Sequence, residues 1–534
     1  MNTLLLGGLI AAYLAVVAAL SYLGYRHTRS QKDYLVGGNE VNPFVMAMSY
    51  GAAFISTSAI VGFGGVAGLY GMGLLWLPFM NIAVGVLIAF LVLGRPTRRI
   101  GRRLDANTFP ELIGLRFQSR RIKVLIAAII VFFMPIYTGV VLIGGARFVE
   151  QAMNLDYNYA LLIFGGVISL YVIFGGIKGV MYVDALLGVV MVFGMISLLV
   201  MTYHELGGVV SAHQALTDMR GLVPASLAKL GHAGWTAMPR WNSQWWWTLV
   251  SSLMLGVGIG ALAQPQLAVR FMTVKSGKQL NRAVLVGALF ILATAGIAYV
   301  VGALANVWFF RHSGQIAIQA ADGNADLIIP RFIDAAMPKA FVYIFMLTLL
   351  SAAMSTLSSL IHVNGSSLGH DLYRTLRPQA SDSRTATRVG IVLGIIASIV
   401  LAYLLPPNIV ARGTAIFFGV CAAAFLPAYL AALYWKRATR AGVWASIATG
   451  ALVSLFGLAF LHRAESGALG ICQKLFGRTE LISTFPWPFV DTICYALPLA
   501  ALALIAVSLA TRPPDARHLE QCFSETANRE NHHG

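Results

Sequence analysis

Long apolar runs recur along this chain, separated by short polar segments. A hydrocarbon core about 30 Å thick takes about 20 helical residues to cross. On that template thirteen spans fit: 3–24, 43–68, 73–94, 123–149, 158–177, 182–203, 245–271, 281–309, 340–368, 388–405, 412–433, 442–461 and 491–511. No alternating strand pattern competes with them, so the expected class is an all-α polytopic membrane protein. The first span has neither a basic leading segment nor a small-residue cleavage site, and reads as a leader transmembrane helix rather than a removed signal.

The polar segments set orientation. Basic residues gather in alternate loops: Arg26, Arg29 and Lys32; Arg95 to Lys123; Lys178; Arg270, Lys275, Lys278 and Arg282; Arg374, Arg377, Arg384 and Arg388; Lys436, Arg437 and Arg440; and Arg512, Arg517 and Arg529 in the tail. The positive-inside rule puts these loops in the cytoplasm. The N-terminus is then outside and the C-terminus inside a plasma (inner) membrane. The other loops are longer: 205–243 carries Trp235 and Trp241 and is followed by Trp245–Trp247, an aromatic belt, and 310–339 has room for short outer helices. Residues 106–118 read as a short amphipathic helix, and the polar tail 512–534 as disordered.

Composition agrees. The chain is 58% hydrophobic and 11% charged, where soluble domains carry about 25% charged residues. The net charge of +17 sits in topology-setting loops, so nucleic acid is not an expected partner. The four cysteines form no CxxC pair and read as structural. No soluble signalling domain fits after residue 511, which argues against a sensor. His362 stands alone in its span, which argues against an embedded enzyme.

Two spans carry interruptions that a plain membrane anchor would not need. The span 43–68 contains Gly51 and then Ser56-Thr57-Ser58; the span 245–271 contains Gly256, Gly258, Gly260 and Pro265. Glycine weakens a helix interior, and Ser and Thr compete for its backbone hydrogen bonds. The two spans lie five apart, the period of transporters built from inverted repeats whose first helices are broken at the midplane. Freed carbonyls there must be satisfied by protein, water or an ion. The span 340–368 adds Ala352-Ala353-Met354-Ser355-Thr356-Leu357-Ser358-Ser359. The Ser355 and Thr356 hydroxyls, with carbonyls of Ala52, Ile55 and Ala352, make five oxygens, a donor set for sodium. Close packing of small residues, or hydroxyls bonded back to their own backbone, is the competing reading.

Five segments, in order, carry a family resemblance. They are Asp33-Tyr-Leu-Val-Gly-Gly-Asn-Glu40, Tyr171-Val-Ile-Phe-Gly-Gly-Ile-Lys-Gly-Val-Met-Tyr-Val-Asp184, Gln264-Pro-Gln-Leu-Ala-Val-Arg-Phe-Met-Thr-Val274, Ala353-Met-Ser-Thr-Leu-Ser-Ser359 and Tyr434-Trp-Lys-Arg-Ala-Thr-Arg-Ala-Gly442. The chain resembles the sodium:solute symporter family. That resemblance implies a leucine-transporter-type inverted repeat of five plus five helices. The organisation is then 1–42, leader helix and cytoplasmic linker; 43–205, first repeat; 206–244, outer loop; 245–433, second repeat; 434–511, two further helices; and 512–534, cytoplasmic tail. The resemblance places the common sodium site on Ala52, Ile55, Ala352, Ser355 and Thr356, and makes Asp184 a residue of the sodium exit path. The implied activity is sodium-coupled uptake of a small organic solute by alternating access, with no organic cofactor.

The departures bear on the solute. Val183 and Leu187 stand where the family often has Thr and Gln; Phe54 replaces an acid found in proline carriers, and Ala59 a Gln found in sugar carriers. An apolar pocket leaves sugar hydroxyls unpaired. Arg147 resembles the carboxylate-binding Arg of sialic acid carriers, although a snorkelling Arg at the interface is the plainer account. With Tyr137, Ser56, Trp246 and Phe417 it forms the expected solute set, and carboxylates lead as the solute class. Alternatives are a proton-coupled carrier of the same fold and a sodium-coupled carrier of a neutral amino acid or sugar. A sensor or a channel ranks below both.

Overall fold

The structure, a computed structural model, describes residues 3–28, 30–39, 41–153, 155–377, 383–405 and 409–523. Among them there is no strand, only a single bridge between Val41 and Val274. Eleven helices of the described residues are long and apolar enough to cross a membrane. The expected spans 158–177 and 182–203 form one run, Tyr157–Glu205, divided where Gly176 adopts φ 57° and ψ −168°. Gly71, with φ 69° and ψ −155°, divides the helical segments on either side of it in the same way. The Trp235 carbonyl approaches so closely that a Cβ on Gly71 would overlap it. Both turns therefore need glycine.

The outer helices present apolar stripes. On Tyr157–Glu205, Val189, Phe193, Ile196 and Val200 follow helical spacing and are all exposed. Such a stripe suits contact with lipid. The basic residues do not all stay on the surface. Arg116 and Arg270, expected in polar loops, are fully buried. Arg116 donates to the Ala432 and Trp435 carbonyls at a helix end and lies between the Phe117 and Phe523 rings. The tail is ordered further than expected: Ala516–Phe523 is a helix, held by an Arg103 bond to the Cys522 carbonyl. The rest of the expected disordered tail, 524–534, lies outside the described residues.

Six helices position the site: α1 (Pro43–Phe54), α2 (Arg120–Met153), α3 (Tyr157–Glu205), α4 (Pro265–Thr273), α5 (Lys339–Ser366) and α6 (Val410–Tyr434). α5 is the central column, packed on α1, α2 and α3 and buried along nearly its whole length. α1 starts at an Asn42 cap whose side chain accepts from the Phe44 N–H, with Pro43 in the first turn. It stops at Ile55, which is extended at φ −93° and ψ 105°. There the Ser56 hydroxyl takes the Ser58 N–H and competes with the helical bond. The second broken helix stops at Gln264, extended at φ −74° and ψ 116°, before Pro265 opens α4. Gly256, Gly258 and Gly260 remain helical, and their role is close approach: a Cβ on Gly260 would lie 2.6 Å from the Phe418 carbonyl oxygen. Gly51 is likewise helical and faces the Phe290 ring. The two broken helices are joined at one end, where the Val41 N–H donates to the Thr273 carbonyl at 3.1 Å.

Candidate functional site

The end of α1 leaves its last carbonyls without helical partners, as every helix end does. Here they point at α5. The Ser355 hydroxyl donates to the Ala52 carbonyl at 2.9 Å and lies 3.2 Å from the Ala352 carbonyl. The Thr356 hydroxyl lies 3.5 Å from the Ala52 carbonyl and 3.4 Å from that of Ala53. Ile55 supplies the extended step that frees these groups. All of these residues are buried, and no charged side chain bonds directly to them. Four of the five expected ligands are therefore brought together in one buried patch of neutral oxygens. Such a set fits a small hard cation, because carbonyls and hydroxyls can replace its hydration shell. The long Thr356 contacts show that its hydroxyl is only weakly engaged by protein.

One turn along α5 lies a charged cluster. Asp184 of α3 is fully buried and accepts from the Ser49 hydroxyl at 2.8 Å and from Arg270 Nη2 at 2.9 Å. The Ser358 hydroxyl lies 3.4 Å from its other oxygen. Arg270 also donates to Ser49 from Nε, to the Gln266 carbonyl from Nη1 and to the Ser359 hydroxyl from Nη2. A buried ion pair holds only when its remaining donors and acceptors are matched, as they are here for Arg270. Sequence reasoning singled out Asp184 but missed Arg270. The signal was available: Arg270 ends an apolar span, inside the segment Gln264–Val274.

On the other side of the α1 break is an aromatic cluster. Tyr137 of α2 stacks on Phe417 of α6, ring centres 4.7 Å apart at 16°. Phe418 meets Tyr137 edge-on at 5.6 Å and Phe54 at 6.2 Å. Ser56 lies beside the Tyr137 side chain. The Thr57 hydroxyl donates to the Val141 carbonyl and ties the break to α2. Tyr137, Ser56 and Phe417 thus come together. Trp246 stands with Trp241 and Trp247 instead. Arg147 pairs with Glu150 at 2.9 Å, lies over the Tyr157 ring and is about one third exposed.

With this geometry in place, comparison with known proteins identifies the chain. The sodium:solute symporter family is matched over residues 34–450. The chain belongs to that family. The sodium/pantothenate symporter of Haemophilus influenzae is 29% identical over 423 residues, 78% of this chain and 82% of that one. The sodium/proline symporter of Staphylococcus aureus is 27% identical over 496 residues, 89% of each chain. A solved structure of a Na+-coupled sialic acid symporter in a substrate-bound outward-open state superimposes with a TM-score of 0.71 at 16% identity. It covers 96% of this chain and 98% of that one, and shows the shared fold. This symporter is a multi-pass membrane transporter, not an enzyme, and sodium is its coupling ion.

Proposed function

We propose that this symporter carries a small organic acid into the cell on an inward sodium gradient. Sodium binds between α1 and α5, on the carbonyls of Ala52, Ile55 and Ala352 and the hydroxyls of Ser355 and Thr356. The observation that carries this reading is the convergence of the Ser355 and Thr356 hydroxyls on carbonyls freed by the α1 break. The solute sits across that break, at the cluster of Tyr137, Ser56 and Phe417, so both ligands stabilise the same closure of α1 against α2, α5 and α6. The coupling is reciprocal: each ligand raises the affinity for the other by the same factor.

The solute class rests on chemistry. Pantothenate, proline and sialic acid, the solutes named for the three similar proteins, all bear a carboxylate. Arg147 is the expected partner for that group, after exchanging Glu150 for it. An aromatic cluster favours a solute with an apolar body. The full architecture in this reading has thirteen spans, 43–205 and 245–433 as the inverted repeats, and the basic loops in the cytoplasm. Sodium leaves on that side past Asp184. The reading is tested by uptake into proteoliposomes of labelled pantothenate, proline and short monocarboxylates, with sodium or choline outside. Accumulation of an acid only with sodium supports it; equal accumulation with choline overturns it.

A further inference from the structure

His362 lies on α5, three residues beyond Ser359 and so one turn on along the same face. It is about 1% exposed, and no protein group bonds either ring nitrogen. A buried imidazole without partners is costly, and such a group calls for an explanation. Its ring is 5.5 Å from that of Tyr34, whose hydroxyl donates to the Ile173 carbonyl. Arg388 donates to the same carbonyl and is already engaged there. Arg270, which touches Ser359 one turn back along α5 at 2.6 Å, is a charged donor on the same side of the helix.

Sodium leaving past Asp184 meets a carboxylate already held by Arg270. The carboxylate can turn both of its oxygens to the ion only if the guanidinium lets go of the one it holds. A buried guanidinium stripped of its carboxylate needs another acceptor at once. Ser359 stays within its reach but offers a single weak acceptor. The unprotonated nitrogen of a neutral imidazole, one turn further along α5, completes the replacement. We propose that His362 is the receiving acceptor for Arg270 when Asp184 turns to the departing sodium ion. His362 is then a positioning residue for the opening of the cytoplasmic half of the path. The inference rests on the sodium route proposed above. It also accounts for an imidazole that has no protein partner in this structure, since its partner arrives only on opening.

The test reads opening directly and needs no solute. Ser366, buried one turn beyond His362, receives the substitution Ser366→Cys in a chain whose four native cysteines are changed to Ser. Labelling of the thiol at position 366 by N-ethylmaleimide is timed in choline and in sodium chloride, with His362, His362→Gln or His362→Leu. In sodium chloride, where the ion departs past Asp184, His362→Leu is expected to slow labelling by about tenfold to a hundredfold, the change one lost charge-assisted hydrogen bond makes. His362→Gln, which keeps an acceptor, returns the rate to near that of the parent. Thermal unfolding of the Leu variant stays at or above that of the parent, because an unpartnered polar group has been removed from the interior. The proposal is overturned if Leu labels as fast as His, if Gln and Leu are equally slow, or if position 366 is labelled in none of the three. Labelling of the parent that is the same in sodium chloride as in choline would count against the sodium route, whereas the comparison of Gln with Leu in sodium chloride still decides the role of His362.

Discussion

Ser355 and Thr356 are expected to respond differently to loss of their hydroxyls, because the structure engages them differently. Ser355 donates to the Ala52 carbonyl at 2.9 Å, a full hydrogen bond, whereas both Thr356 contacts are 3.4 Å or longer. A hydroxyl bound to a charged group contributes about 1.5–3 kcal/mol, and a neutral buried hydrogen bond about 0.5–1.5 kcal/mol. Ser355→Ala loses the first in the sodium-bound state and the second in the sodium-free state. The net loss of about 1–1.5 kcal/mol weakens sodium binding about fivefold to tenfold. Thr356→Val has little to lose without sodium, so nearly the whole of that roughly 1.5–3 kcal/mol falls on binding, about tenfold to a hundredfold. The ranking reverses for the sodium-free protein, where Ser355→Ala lowers the unfolding temperature more. The assay is thermal unfolding of purified protein over a sodium titration, with choline holding ionic strength constant. Stabilisation follows RT ln(1 + [Na+]/Kd) and returns the sodium constant of each variant. Curves that superimpose on wild type, or a larger affinity loss for Ser355→Ala than for Thr356→Val, would refute the reasoning.

Asp184→Asn strands the buried Arg270 charge and is expected to cost about 3–5 kcal/mol of stability; the double variant with Arg270→Gln should recover part of it in the same unfolding assay. Arg147→Ala should raise the apparent solute constant far more than the sodium constant in uptake kinetics, and equal shifts would assign Arg147 a structural role. Glu111 is mostly buried, which by itself would raise its carboxyl. His370, Lys123 and the Asn107 N–H outweigh burial and lower it from 4.5 to about 2. A depressed carboxyl stabilises the fold above its unfolded value and loses that contribution as pH falls through the folded one. Wild type should therefore lose more stability than Glu111→Gln between about pH 4.5 and pH 2, read by unfolding across that range.

Much of the proposed sodium site was legible because its signals are local. Gly51, the Ser56-Thr57-Ser58 triplet and the hydroxyl-rich segment on α5 each break a lipid-adapted pattern within a few residues, and the five-span spacing of the two broken helices relates them. Arg270 was not legible in that way. A basic residue at the end of an apolar run looks like a topology marker, and its carboxylate lies 86 residues away in sequence. His362 read as an ordinary helix-lining histidine, since only the fold shows that neither nitrogen has a protein partner. The glycines of the second broken helix marked the right helix but not the break. They serve close packing against Phe418 and Met80, while the chain turns extended at Gln264, before Pro265. Trp246 and Arg147 had residue types suited to a solute site, yet the fold places each with local partners, Trp241 and Glu150.

We propose one sodium ion between the broken end of α1 and the Ser355–Thr356 segment of α5. Equilibrium binding of radioactive sodium to purified protein tests it most directly, comparing wild type with the Ser355→Ala, Thr356→Val double variant. Wild type should bind sodium saturably, and a double variant that remains folded should bind it more weakly by about a hundredfold or more. Saturable binding of unchanged affinity in the double variant would contradict it.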